Sequence, residues 1–246
     1  MVNVAAMLLF FQRSRRSIMK HTLSTKLFGW LALSALVLGS AQAVADDKAD
    51  AEKTVNGAVT VLKNFSADPN MTWYRSHITK AKAVLIIPTL VKAGFIFGGS
   101  GGHGVVLARD EKANVWRGPS FASAGSVSWG LQAGGSAAEV VMMAMTEKGK
   151  NALLSNKFQA GADASVAAGP VGTGAQAATT DIIQFTRSKG LFGGLSLEGS
   201  VIDVRDSLNK AYYGKPVTPV DILIRGDVKN PHADPLIKAL TAGSGK

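Results

Sequence analysis

Two patterns of chemistry overlap in one stretch, AGFIFGGSGGHGVVLAR, residues 93–109. Gly99, Gly101 and Gly104 have the G-x-G-x-x-G spacing with which a backbone cradles the pyrophosphate of a dinucleotide. Gly98, Ser100 and Gly102 have the G-x-S-x-G spacing of a nucleophile elbow, which raises a serine on a strained turn for acyl transfer. Both chemistries need one scaffold, a strand before the glycines and a helix after them, because the helix amino terminus supplies the N–H groups that meet the anion. Here the strand-like GFIF is followed by GVVLARDEKANVW, which is β-branched and apolar and runs into a polar turn. No acidic residue ends a second strand about 20 residues on, as the dinucleotide motif requires. A triad in the order serine, acid, histidine has only His232 far enough downstream, in the proline-flanked KNPHADP. The context favours a backbone role, in which Gly98, Gly99, Gly101, Gly102 and Gly104 shape a tight turn of a sheet through positive φ and close backbone approach. A hydrolase using Ser100 is the rival reading.

Other chemistry is sparse. The chain has no cysteine, which removes disulfides, thiolate metal sites and a catalytic thiol. His77, His103 and His232 are each isolated, with no carboxylate or histidine at ligand spacing. Glu139 and Glu198 interrupt strand-like runs, but spacing alone does not pair them for acid–base work. The expectation is a protein with no metal, no cofactor and no catalytic residues.

The elements that would carry these residues begin after a leader. Lys20, His21 and Lys26 precede the 12-residue apolar run Leu27–Leu38, a suitable length for a secretory signal and short for a membrane span. Cleavage after Ala43 or after Ala45 satisfies the small-x-small rule. Residues 1–18 read as an upstream extension, with Met19 the expected initiator, and Arg15-Arg16 leaves a twin-arginine signal as the alternative. Removing residues 1–45 takes five basic and no acidic residues, leaving 22 Lys and Arg against 17 Asp and Glu, a net charge of +5. That balance suits an anionic surface and is too weak to argue for nucleic acid. Residues 46–246 are expected to form one domain, exported to the periplasm or to a membrane of the envelope.

Residues 46–65 have a helical period, with Val55, Ala58, Val59, Leu62 and Phe65 on one face and Lys53 and Lys63 off it. Asp68-Pro69-Asn70 breaks this helix, and MTWYRSHITKAKA suits a second, carrying Arg75, Lys80 and Lys82. From Val84 the chain turns to short β-like runs rich in glycine, interrupted by a helix that Thr146 caps. Helical pieces at RDSLNKAYYG and DPLIKALTAG close it. The predicted fold is α+β, a strongly curved antiparallel sheet or barrel-like core with amino- and carboxy-terminal helices packed around it.

The segments AKAVLIIP, VKAGF, the glycine-rich run, SFASAGSVSWGLQAGG, EVVMMAMTEKGKNALL, FQAGADASVAAGPVG, SKGLFGGLSLEGSVI and NKAYYGKPVTPVDIL resemble, in order and spacing, the SYLF domain family. The resemblance spans about residues 50–242. It implies a lipid-binding module related to proteins of membrane traffic and actin patches, with phosphoinositides the ligands of eukaryotic members and actin binding attributed to yeast relatives. For an exported chain it implies association with anionic phospholipid, or with a protein partner in the envelope. Some members contact membrane through an amino-terminal amphipathic helix, which maps here to residues 51–65. On that mapping Val55, Val59, Leu62 and Phe65 insert, while Lys53, Lys63, Arg75, Lys80 and Lys82 meet phosphates. The same stripe also suits packing on a sheet, the commoner use of an amphipathic helix.

Overall fold

In a computed structural model, the residues described are 45–94, 97–129, 134–170, 180–188, 191–192 and 197–242. The leader expected over residues 1–45 lies outside them except for Ala45. Residues 47–246 form one compact unit.

The first helix, α1, spans residues 45–67. Asp46, Asp47 and Asp50 lie in its first turns, where the helix dipole favours anions. Its inward stripe is Ala51, Val55, Ala58, Val61, Leu62 and Phe65, all essentially buried. Asp68 ends the helix and accepts the Asn70 N–H at 2.9 Å, opening the short turn Pro69–Met71. The second helix is shorter than its sequence suggests. α2 covers Thr72–His77, the turn Ile78–Lys80 follows, and Ala81 is already extended. The burial pattern still holds, since Met71, Tyr74, Ile78 and Ala81 are all buried.

The strands form one mixed sheet. β1 is Ala83–Gly94, β2 Phe97–Asp110, β3 Val115–Trp129 and β4 Gly134–Ala144. Helix α3, Glu147–Leu154, follows, and Thr146 caps it by accepting the Gly149 N–H at 3.0 Å. Then come β5 (Lys157–Gln159), β6 (Val166–Ala168), β7 (Ile182–Ser188), β8 (Leu191–Phe192) and β9 (Val201–Val204). The order across the sheet is β5-β9-β3-β2-β1-β4-β7-β6, with β8 beside β7. All pairs are antiparallel except β6 with β7.

That order forces curvature. β5 and β6 stand at opposite ends of the sheet, yet only residues 160–165 join them. Seven strand spacings in a flat sheet come to about 34 Å, whereas this connection reaches about 24 Å at full extension. The sheet therefore curls into a half-barrel, and a bridge between Ala160 and Ala164 lies where its ends approach. This is the curved, barrel-like α+β architecture expected from the sequence.

Both faces of the sheet are covered, which is why VLII and VVMMA read as continuous apolar runs. On the outer face Val84, Ile86, Val105, Leu107, Val141 and Met143 pack with α1, α2 and two later helices. These are α4, Asp206–Tyr213, and α5, Asp234–Ala242. On the inner face Leu85, Ile87, Val106, Val140 and Met142 meet Leu153 and Leu154 of α3 and Ile222 and Leu223 of a π-helical turn, Asp221–Arg225. Buried Asn209 ties α4 to β3, its Oδ1 accepting the Phe121 N–H at 2.9 Å. Gly214, at φ 73°, caps α4 in the left-handed region.

The glycine turn expected at Gly98–Gly104 is instead the body of β2. Gly98, Gly99, Gly101 and Gly102 pair with Gly94, Ala93, Val91 and Leu90 of β1, and Gly104 lies within β2 beside Ala122 of β3. None of them has a positive φ. For Gly102 and Gly104 the physical reason is proximity. A Cβ on Gly102 would stand 2.5 Å from the Thr89 carbonyl oxygen, and one on Gly104 2.6 Å from that of Ile86. The β1–β2 register shifts between Ile86 and Thr89, around Pro88. Pro88 in turn seats against Gly57 of α1, where a Cβ would meet the proline ring at 2.7 Å.

Candidate functional site

The elbow and dinucleotide readings fail on geometry. β2 runs unbroken to Asp110 and is followed by a turn and β3, so no helix amino terminus faces the glycines. Ser100 bonds the Ser126 hydroxyl at 2.8 Å. Side chains alternate along a strand, so Ser100 shares the inner face with Val106 while His103 shares the outer face with Val105. His103 lies 3.3 Å from an Arg205 nitrogen, and burial together with that cation lowers its pKa. His232 contacts the Tyr212 hydroxyl at 3.3 Å on the outer side. Glu139 is committed to Arg187 at 2.9 Å and to the Asn64 amide at 2.8 Å. Among the described residues no cluster of three or more His, Asp or Glu has the makings of a metal site. No helix among them is long and apolar enough to cross a membrane.

The basic residues divide by environment. Lys82 has a structural post: its ammonium lies 2.5 Å from Glu111 in the β2–β3 turn and 2.8 Å from Glu147 at the start of α3. Hydrogen bonds to those two carboxylates raise its pKa. Arg75 bonds the carbonyls of Asp68 and Pro69 and the Thr72 hydroxyl, closing the break after α1. By contrast Lys53, Lys63 and Lys80 are exposed and make no ion pair among the described residues.

The apolar residues divide likewise. Val55, Leu62 and Phe65 are at most 1% exposed. Phe65 packs on Tyr74 with ring centroids 5.6 Å apart, and Tyr74 on Phe185 at the same separation. In this packed state these side chains belong to the core, and insertion into a bilayer would require α1 to leave the sheet. Val59 is only partly buried, on the flank of the stripe.

That flank opens into a groove of about 380 Å³ between α1 and α5. Val59, Leu62, Lys63 and Ser66 line it from α1, and Pro235, Lys238, Ala239 and Ala242 from α5. Its base is apolar, and its two cations, Lys63 and Lys238, are both exposed. Beneath it Ser66 hydrogen-bonds Tyr74, whose phenol pKa burial pushes far up, so that oxygen stays protonated and neutral. α5 also packs on the turn Ile78–Lys80, where Lys80 is exposed. The groove thus takes Val59, Leu62 and Lys63 from the sequence-based set, while Lys80 stands on a turn that packs against α5. Lys53 lies elsewhere on the outer side of α1, and Arg75 and Lys82 are held by partners of their own. Lys238 escaped the sequence reading because nothing local to DPLIKALTAG says that this helix returns to lie beside α1.

Residues 125–243 match the family model described as "Ysc84: Las17-binding protein actin regulator". The chain belongs to the SYLF, or Ysc84, family. It is 33% identical over 198 residues to Protein YSC84 of Saccharomyces cerevisiae, covering 74% of this chain and 42% of that one. LAS seventeen-binding protein 3 of the same yeast is 33% identical over 172 residues, 66% of this chain and 37% of that one. Human SH3 domain-containing YSC84-like protein 1 is 29% identical over 160 residues, 63% of this chain and 46% of the relative. The chain therefore spans less than half the length of these relatives.

Proposed function

We propose that this SYLF domain is a non-enzymatic module that associates peripherally with anionic membrane surfaces. The observation that carries the reading is the α1–α5 groove, an apolar hollow bordered by two lysines with no carboxylate partner among the described residues, with a third lysine, Lys80, on a turn that packs against α5. Cations near an anionic leaflet contribute about 1 kcal/mol each, so three support reversible, salt-sensitive attachment. The residues that meet the surface are Lys63, Lys80 and Lys238, while the apolar stripe of α1 stays on the sheet. The leader makes the module an exported one, released by cleavage near Ala43 or Ala45 and working at an envelope membrane.

Co-sedimentation with vesicles of graded anionic content tests the reading. Pelleting that rises with anionic lipid and falls with salt supports it; pelleting indifferent to both refutes it. A second reading, a protein-interaction module, takes its support from the relatives' names, since one is called a LAS seventeen-binding protein. It gains if vesicles of every composition leave the protein in solution.

A further inference from the structure

We infer that the α1–α5 groove seats one anionic lipid molecule, its single acyl chain lying over Val59, Leu62 and Ala239 and its anionic head held between Lys63 and Lys238. The inference rests on the lipid reading above and converts a charged surface into a stoichiometric site. Three observations carry it. The hollow of about 380 Å³ is at the small end of ligand pockets, which run from about 300 to 1,000 Å³. That size takes one chain and excludes a lipid with two. Its floor is apolar, and Leu62, only 1% exposed, closes the bottom, so a chain enters hydrocarbon surroundings without displacing a polar partner.

Charge complementarity is the third. The two helices that wall the groove contribute Lys63 and Lys238, one from each side, and neither pairs with a carboxylate among the described residues. Two like charges facing one hollow repel each other, and an anion between them relieves that repulsion as it binds. Ser66 adds a hydroxyl on the α1 wall, already engaged with Tyr74. A neutral amphiphile finds the apolar floor and hydrogen-bond donors but no opposite charge for its head, so the groove discriminates by charge.

The test is isothermal titration of the full chain with dodecyl phosphate below its critical micelle concentration, with dodecyl maltoside as the neutral control. The expected result is saturable binding of one dodecyl phosphate per chain and at least tenfold weaker binding of the maltoside. Ala239→Trp fills the hollow and should weaken dodecyl phosphate at least tenfold. Lys63→Glu with Lys238→Glu should do the same. Those two side chains are exposed, so this variant decides the matter if the tryptophan variant fails to fold. Absence of saturable binding by the folded wild type, or binding that both variants leave unchanged, overturns the inference. Vesicle pelleting of the same samples separates the two claims. Pelleting without dodecyl phosphate binding removes the seat and leaves the surface reading, whereas dodecyl phosphate binding without pelleting keeps the seat and removes that reading.

Discussion

A methyl group at Gly102 or Gly104 would press on the β1 carbonyls of Thr89 and Ile86, while one at Gly101 would meet nothing within 4 Å. Overpacking of this kind costs about 1–3 kcal/mol. Urea denaturation of Gly102→Ala and Gly104→Ala should show losses in that range, with Gly101→Ala close to wild type; equal losses at all three would mean that strand propensity, not proximity, dictates these glycines. The sequence pointed to a backbone role, which close approach gives at Gly102 and Gly104. It misled on how, because the β1 irregularity that brings Thr89 and Ile86 so close is a matter of register between strands, and no local spacing encodes it. Asp181 illustrates a second residue-scale effect. Hydrogen bonds from the Thr146 hydroxyl and from the Ser165 N–H and hydroxyl hold its pKa down, from an ordinary 3.8 to about 2. The folded state binds this proton less readily than the unfolded chain, so the stabilisation is complete above about pH 4 and disappears as pH falls through about 2. Asp181→Asn should flatten the acid limb of a stability–pH profile in that window, and an unchanged limb would contradict the assignment.

At the scale of elements, α1 was the most legible part of the chain, since its 3.6-residue period is strong and Asp68-Pro69 marks its end. What periodicity cannot say is whether such a stripe faces a bilayer or a sheet, and here it faces a sheet. Phe65→Ala should accordingly cost about 3–5 kcal/mol of stability. The exposed Lys63→Glu should stay within about 0.5 kcal/mol of wild type. Thermal or urea melts check both, and a folded, undestabilised Phe65→Ala would mean that α1 is not part of the core. α2 ended earlier than its sequence suggests because Ala83 onward is claimed by β1, whose pairing on both sides with β2 and β4 outweighs local helix preference. The π-helical turn Asp221–Arg225 has no local sequence signal; Ile222 and Leu223 anchor it in the core on the inner face of the sheet.

At the scale of the whole molecule, the short β5–β6 connection dictates the curl, the curl creates an inner and an outer face, and the helices that cover the outer face create the groove at their seam. Composition conveyed the curved α+β architecture, since many short apolar runs rich in glycine suit a bent sheet. The candidate site was half visible: Lys63 and Val59 could be named from α1 alone, while Lys238 becomes their neighbour only when the last helix lies down beside the first. In the function proposed above, charge at this seam attaches the protein to anionic membrane. The most direct measurement compares wild type with Lys63→Glu, Lys80→Glu and Lys238→Glu combined, by co-sedimentation with anionic vesicles across a range of salt. At about 1 kcal/mol for each cation lost, vesicle affinity should fall on the order of a hundredfold, with a shallower salt dependence and an unchanged fold. Wild-type affinity in the folded triple variant would contradict it.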